Sequence, residues 1–193
     1  GMPSAEVTDA RLLGRSAGSA GVTQEITVGV GLTLSAGALT GGFTLGTEQA
    51  TTSGTTKDFT GIPAGTKMII LTLVGVSTNG TSNLMIQLGD AGGIEATGYL
   101  GTASGTGAVA ANGTTGMLLT GSFAATGILH GSCILTLEDS TDFTWTSQSV
   151  TGRSDGAQAD LGAFSKSLSA ELTQIRFTTV SGDTLDAGVI NIS

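Results

Sequence analysis

Two apolar runs, Met68 to Val76 and Leu84 to Leu88, stand out from a chain otherwise rich in small polar residues. The first is short and β-branched at Ile69, Ile70, Val74 and Val76, which favours strand over helix. Ile69, Leu71 and Leu73 fall on one face, and Met68, Ile70 and Val74 on the other. A strand apolar on both faces lies in the middle of a structure, with a core on one side and a further partner on the other. Asn79-Gly80 separates the runs, and both residues tolerate positive φ. The pattern predicts a β-hairpin at the centre of a β-sandwich.

The same alternation recurs along the chain. In residues 22–40, Ile26, Val28, Val30, Leu32 and Leu34 occupy even positions, with Thr27, Gly29, Gly31, Thr33 and Ser35 between them. This is a strand with one apolar face, and Gly, Thr and Ser on the other face permit close backbone approach. Burying those five side chains stabilises by roughly 7–15 kcal/mol, at about 1.5–3 each. No aromatic residue nearby supplies a core, so this face is expected to pair with copies of itself; the alternative is an ordinary first strand of the sandwich. A second hairpin is expected over residues 126–150. Leu129, Cys133, Leu135 and Leu137 share one face, Asp139-Ser140-Thr141-Asp142 turns the chain, and Phe143 and Trp145 share a face of the returning strand. Ile175 and Phe177 alternate with Gln174, Arg176 and Thr178, and Ile190 and Ile192 mark a last strand. Turns are expected at Pro63 to Gly65, Asp90 to Gly93 and Ser181 to Asp183. A strand is expected from about Ala96 to Leu100. No segment carries a convincing helical period. Residues 101–116 hold almost no large side chain and read as a long surface loop or a flexible strand pair around Asn112-Gly113.

Composition narrows the function classes. Charged residues make up 11% and aromatics 4% of the 193 residues, while Gly supplies 32, which suits narrow, closely stacked β-structure. The net charge of −8 and seven scattered basic residues argue against a nucleic-acid partner. Cys133 is the single cysteine, so no intramolecular disulfide forms. No stretch has the apolar length of a membrane helix, and residues 1–11 lack the apolar region of a signal peptide. Synthesis in the cytoplasm without membrane insertion is the expectation, and Gly1 ahead of Met2 reads as an addition to the natural start.

Candidate chemistry is sparse. His130 is the only histidine, and Ser132 and Glu138 share its strand face without a nucleophile elbow. It reads as a polar residue on a sheet face or at a subunit contact. Cys133 on the apolar face reads as a buried, inert thiol. One His and one Cys do not make a zinc site, and the pairs Asp139/Asp142 and Asp183/Asp186 lack calcium-loop spacing and read as turn residues. No metal, cofactor or catalytic residue is expected. Trp145, Tyr99 and Phe143 are the candidates for stacking on a sugar ring, with core packing as the competing reading. A receptor contact, if this domain carries one, is expected to combine Tyr99 with the Gly101–Gly116 loop, including Asn112, and Trp145.

Several phrases resemble segments of bacteriophage tail-fibre and virion structural proteins. They are Leu12-Leu13-Gly14-Arg15, Gln24-Glu25-Ile26-Thr27, Gly75 to Ser82, Gly98-Tyr99-Leu100, Ile175 to Thr179 and Asp183 to Ile192. Together they touch most of the chain in the expected order. The resemblance implies a trimeric, jelly-roll-like domain on a thin stem, exposed on the virion and without a catalytic site. The expectation is therefore an all-β, jelly-roll-like antiparallel β-sandwich over residues 46–193, preceded by an arm and an extended oligomerisation strand over residues 1–45. The expected role is a non-enzymatic virion component on the tail, as fibre or tail tip, with host-receptor contact. Its partners would be two further copies of itself in a homotrimer, other virion proteins and host-surface polysaccharide. A lectin-like carbohydrate-binding module and a capsid decoration protein are the alternatives.

Overall fold

Strand follows alternation throughout the chain. The computed structural model describes residues 11–14, 24–28, 32–35, 38–106 and 110–193, and these contain strands and turns but no helix. Two compact units divide the chain at Thr44 and Leu45.

The N-terminal unit differs from its sequence reading. Instead of one extended strand over residues 22–40, it holds two short antiparallel hairpins, β1 (Arg11–Gly14) with β2 (Gln24–Thr27) and β3 (Leu32–Ser35) with β4 (Ala38–Gly41). Ile26 lies on β2 and Leu32 and Leu34 lie on β3, so the even-numbered apolar residues do not share one continuous strand face. Each hairpin satisfies its own ladder, which a lone extended strand cannot do. Ile26 and Leu32 are exposed and Val28 and Leu34 half-buried; Val30 lies outside the described residues.

The second unit begins with β5 (Gln49–Ala50), β6 (Thr56–Thr60), β7 (Met68–Thr78), β8 (Leu84–Asp90), β9 (Gly93–Ile94) and β10 (Leu100–Gly105). It continues with β11 (Ala111–Asn112), β12 (Met117–Leu118), β13 (Leu129–Asp139) and β14 (Thr144–Arg153). It closes with β15 (Ala159–Ser167), β16 (Gln174–Thr179) and β17 (Leu185–Ile192). An eight-stranded sheet runs β11-β10-β15-β14-β13-β7-β17-β5, and a smaller one β12-β8-β16-β6. Both are antiparallel, and their inner faces enclose one apolar core containing Leu71, Leu73, Ile86, Leu88, Leu135 and Phe177.

The pairing is nested. β13 pairs with β14, β10 with β15, β8 with β16 and β7 with β17, as though one long hairpin had been rolled up. This is the jelly-roll-like scheme, and it explains a difference from the sequence reading. β7 and β8 do not pair with each other; they lie in different sheets. Asn79-Gly80 is the corner between the sheets rather than a hairpin tip. Asn79 N donates to the Thr184 carbonyl at 2.9 Å, and its Oδ1 accepts from Thr184 N at 3.0 Å. A Cβ on Gly80 would overlap the Asp183 carboxylate, so a larger residue at this corner must displace that side chain. Along the β7–β17 ladder, a Cβ on Gly188 would lie 2.5 Å from Gly75 C, and Gly188 has φ of +91°. That pair of glycines accommodates the register shift between Ala187 and Val189.

The second expected hairpin, β13 with β14, is present, and β16 and β17 fall where alternation places them. The turns at Pro63–Gly65 and Asp90–Gly93 are also present. The strand expected over 96–100 starts only at Leu100.

Side chains on the outer face of the large sheet line up in rungs. One rung joins Leu100, Ser165, Thr146, Thr136 and Met68; the next joins Thr102, Ala163, Gln148, Ile134 and Ile70. A third joins Ser104, Leu161, Val150, Ser132, Thr72 and Asn191. All are exposed or half-buried. The apolar second face that the sequence gives to β7 is therefore uncovered at Met68 and Val74.

Candidate functional site

Loops gather at the two ends of the sandwich. One end is built from the β7–β8 corner, the segment after β12, the β14–β15 turn and the β16–β17 turn. Asn83 Nδ2 donates to the Gly121 carbonyl at 3.2 Å, and Ser82 N donates to Asp183 Oδ2 at 2.8 Å. The segment after β12 is held from below by Arg153 and Asp160, a buried ion pair at 3.1 Å. Asp160 Oδ1 accepts from Gly121 N at 3.1 Å, and the Arg153 guanidinium donates to the Ser122 carbonyl. The same guanidinium lies 5.2 Å from the centre of the Phe123 ring. These contacts frame an open concavity of about 500 Å³ lined by Ser82, Asn83, Ser122, Phe123, Val180 and Ser181. Hydroxyls and an amide surround an exposed Val180, an arrangement that suits a polar, uncharged ligand more than an ion.

At the opposite end, Trp145, Phe143, Leu137 and Leu172 line a cavity of about 90 Å³, with Lys67 and Glu171 also lining it. That is well below the roughly 300–1,000 Å³ of small-molecule sites. The indole Nε1 of Trp145 is buried with no hydrogen-bond partner among the described residues. Nearby loops carry a polar cluster. Lys166, itself buried, donates to Glu95 and to the Ser167 carbonyl, and lies 5.7 Å from the Tyr99 ring centre. Glu95 Oε1 accepts from Ser169 N at 2.7 Å, and Ser169 Oγ donates to Asp90 Oδ2 at 2.6 Å. Burial opposes the charge on Glu95, but the Lys166 ammonium and Ser169 outweigh it and hold the carboxyl below its ordinary value. The Ser169 hydroxyl and Gly92 N–H hold Asp90 low in the same way. Every charged group here has a partner, as expected of a cluster that ties loops together.

Tyr99 and Trp145 are corrected from surface candidates to core residues, at 1% and 2% exposure. Tyr99 Oη accepts from Leu88 N at 2.7 Å and donates to the Glu95 carbonyl at 2.7 Å. Burial pushes its phenol up to about 12. Neither ring offers a face to a sugar. Asn112 is exposed and stands beside Thr102 at the edge of the large sheet. Of the two readings of residues 101–116, a strand pair is present: residues 101–105 lie in β10, with Ala103 and Gly105 buried, and β11 pairs back onto them. Residues 106, 110 and 113–116 lie between strands, and residues 107–109 lie outside the described residues. Small residues there serve close packing, as at Ala103, which is fully buried.

His130 is held by backbone and hydroxyl. Its Nδ1 accepts from Gly75 N at 3.2 Å, and its Nε2 lies 3.1 Å from Ser154 Oγ. Ser132 and Glu138 make no hydrogen bond to it among the described residues. Cys133 is buried, and burial pushes its thiol up to about 12. Asp139 Oδ1 caps Thr141 N at 2.6 Å, Asp183 caps Ser82 N, and Asp186 accepts from Ser77 Oγ. Asp139 and Asp183 thus serve turns, while Asp186 lies in β17 and joins it to β7. Among the described residues no three His, Cys, Asp or Glu side chains gather around one point. Sequence reasoning missed the corner-end concavity, because its lining comes from three loops far apart in the chain.

The chain matches no family model, no curated protein and no solved structure.

Proposed function

We propose that this chain is a non-enzymatic structural component of a bacteriophage virion, carried on the tail as a fibre or tail-tip protein and presenting a surface to the host. One observation carries the reading: the phrases that resemble phage fibre proteins run in order through the strands of a jelly-roll-like sandwich. Gly75 to Ser82 forms the end of β7 and its corner, Ile175 to Thr179 lies in β16, and Asp183 to Ile192 leads into and fills β17. Those are the strands whose nested pairing closes the roll. His130 is, in this reading, a structural residue: its Nδ1 accepts from Gly75 N–H, which puts the ring proton on Nε2, facing Ser154 Oγ. In this reading copies of the chain associate as a homotrimer, and host contact falls at the corner end, where Ser122, Val180 and Ser181 border the open concavity. Polysaccharide is the chemistry that this polar, uncharged lining suits.

Antibody against the purified chain tests the reading by immunogold labelling of virions from the source culture. Label at tail ends is the expected result. Label over capsids would favour a decoration protein, and particles without label would overturn the virion assignment.

A further inference from the structure

Three adjacent rungs of the outer face of the eight-stranded sheet hold no charged side chain, on a chain of net charge −8; Asp139 stands on the rung beyond Leu100 and Met68, with Thr144 and Ser167, and Glu138 is exposed next to it. Solvated sheet faces ordinarily carry Lys, Glu, Asp or Arg, both for solubility and to block association. Here the exposed positions hold Leu, Val, Met, Ile and Ala among Thr, Ser and Gln. Val150 is 60% exposed and Leu161 58%, as cross-strand partners. Most other charged residues lie elsewhere. On the smaller sheet Arg176 and Asp58 pair at 2.7 Å, and Lys166 and Arg153 point inward.

Three threonine hydroxyls on this face are also prepared for loss of water. Thr102 Oγ1 donates to the Ala111 carbonyl at 3.1 Å, Thr72 Oγ1 to the Asn191 carbonyl at 3.3 Å, and Thr146 Oγ1 to the Thr136 carbonyl at 3.4 Å. A hydroxyl already bonded to its own sheet loses little when a partner displaces solvent, whereas an unbonded one loses more.

We infer that this face is where one copy of the chain packs against another. It rests on the self-association in the proposed function and assigns it to a surface. A second copy is favoured over other occupants on charge and area. Two molecules of charge −8 meet with least desolvation and opposition of charge through surfaces poor in charge, and the three rungs are such a surface on each copy. The three rungs hold no aromatic ring to stack on a sugar. Six strands about 4.8 Å apart, each running about five residues across the three rungs, give a flat footprint of roughly 500 Å² before side-chain relief is added. A stable protein pair buries about 800 Å² on each side. Side-chain relief raises the area toward that size, and the core of the contact would be depleted of charge as such cores are.

Light scattering and sedimentation on the full chain test the inference with two double variants. Wild type should run as a multiple of the 19.0 kDa chain. Val150→Glu with Leu161→Glu should weaken association by at least about 100-fold, since like charges meet in the contact. Its circular dichroism and melting should match those of the wild-type chain. Ile26→Glu with Leu32→Glu, on the N-terminal hairpins, should leave association unchanged. If the first variant does not fold, Gln148→Lys replaces it, being already polar and exposed on the neighbouring rung. An oligomer that survives charges on the rungs but is lost with the Ile26 and Leu32 changes would overturn this surface and leave self-association standing. A wild-type chain that stays monomeric, with or without another bound protein, would overturn both.

Discussion

Asp160 is fully buried, and both its carboxylate oxygens are engaged. Oδ1 takes the Gly121 N–H and Oδ2 takes Arg153 Nε and Nη2 at 3.2 and 3.1 Å. Removing one member of a buried pair leaves the other charge without compensation, which costs about 3–5 kcal/mol. Asp160→Ala is therefore expected to lower the melting temperature by roughly 10 °C. It should also loosen the segment around Ser122, read as faster amide exchange at Gly121. The Glu95–Lys166 and Asp90–Ser169 contacts set a different dependence. Both carboxyls titrate below their ordinary values in the folded chain, so their stabilisation is complete above the unfolded value. It is lost as pH falls through the lowered folded value. Stability from urea midpoints should therefore drop below about pH 4. Lys166→Met should lower stability at neutral pH and flatten that acid limb, because it removes the Glu95 share. An equally steep limb in Lys166→Met would show that the acid loss arises elsewhere.

At the level of elements, local signals were read well and partners less well. The alternation of Leu129, Cys133, Leu135 and Leu137 against a returning Trp145 gave the β13–β14 hairpin, because those strands are neighbours in sequence and in the sheet. Asn79-Gly80 gave a turn but the wrong strand pairing. A turn signal is local, whereas the choice between hairpin and sheet corner depends on β16 and β17, about a hundred residues away. Alternation in residues 22–40 was real, but a period of two does not say where a strand stops, and the chain splits there into β2 and β3. Tyr99 and Trp145 illustrate a further limit. An aromatic ring suits a core and a binding face equally, and only the tertiary fold decides. The corner also yields a prediction. Gly80→Ala places a methyl against the Asp183 carboxylate, which Ser82 N–H holds in place, and overpacking of this kind costs about 1–3 kcal/mol. Urea denaturation should show that loss, and Asp183→Ser in the same chain should recover part of it. A fully stable Gly80→Ala would mean that the corner has room to relax.

Across the whole molecule, the fold class was legible because scarcity of charge, abundance of Gly and Thr, and period-two runs all point to stacked sheets. The surface was less so. Uncharged positions are spread over six strands, and only their register shows that they form one face. In the sequence the same residues look like ordinary outward positions, each harmless by itself. The apolar second face of β7 was the one local hint, and it pointed to a partner beyond the core.

Nested pairing also imposes an order in time. β13 and β14 can close as soon as both have been synthesised, but β7 must wait for β17, the last strand of the chain. From Thr78 to Leu185 the ribosome adds roughly 100 residues, at about 5–20 residues per second. For roughly 5–20 s, then, each nascent chain holds out an eleven-residue apolar strand with one flank unclaimed. Chains emerging side by side from one message offer one another the same strand during that interval. Yield in a foreign host should therefore depend on how crowded the message is and on how slowly the last strands are made.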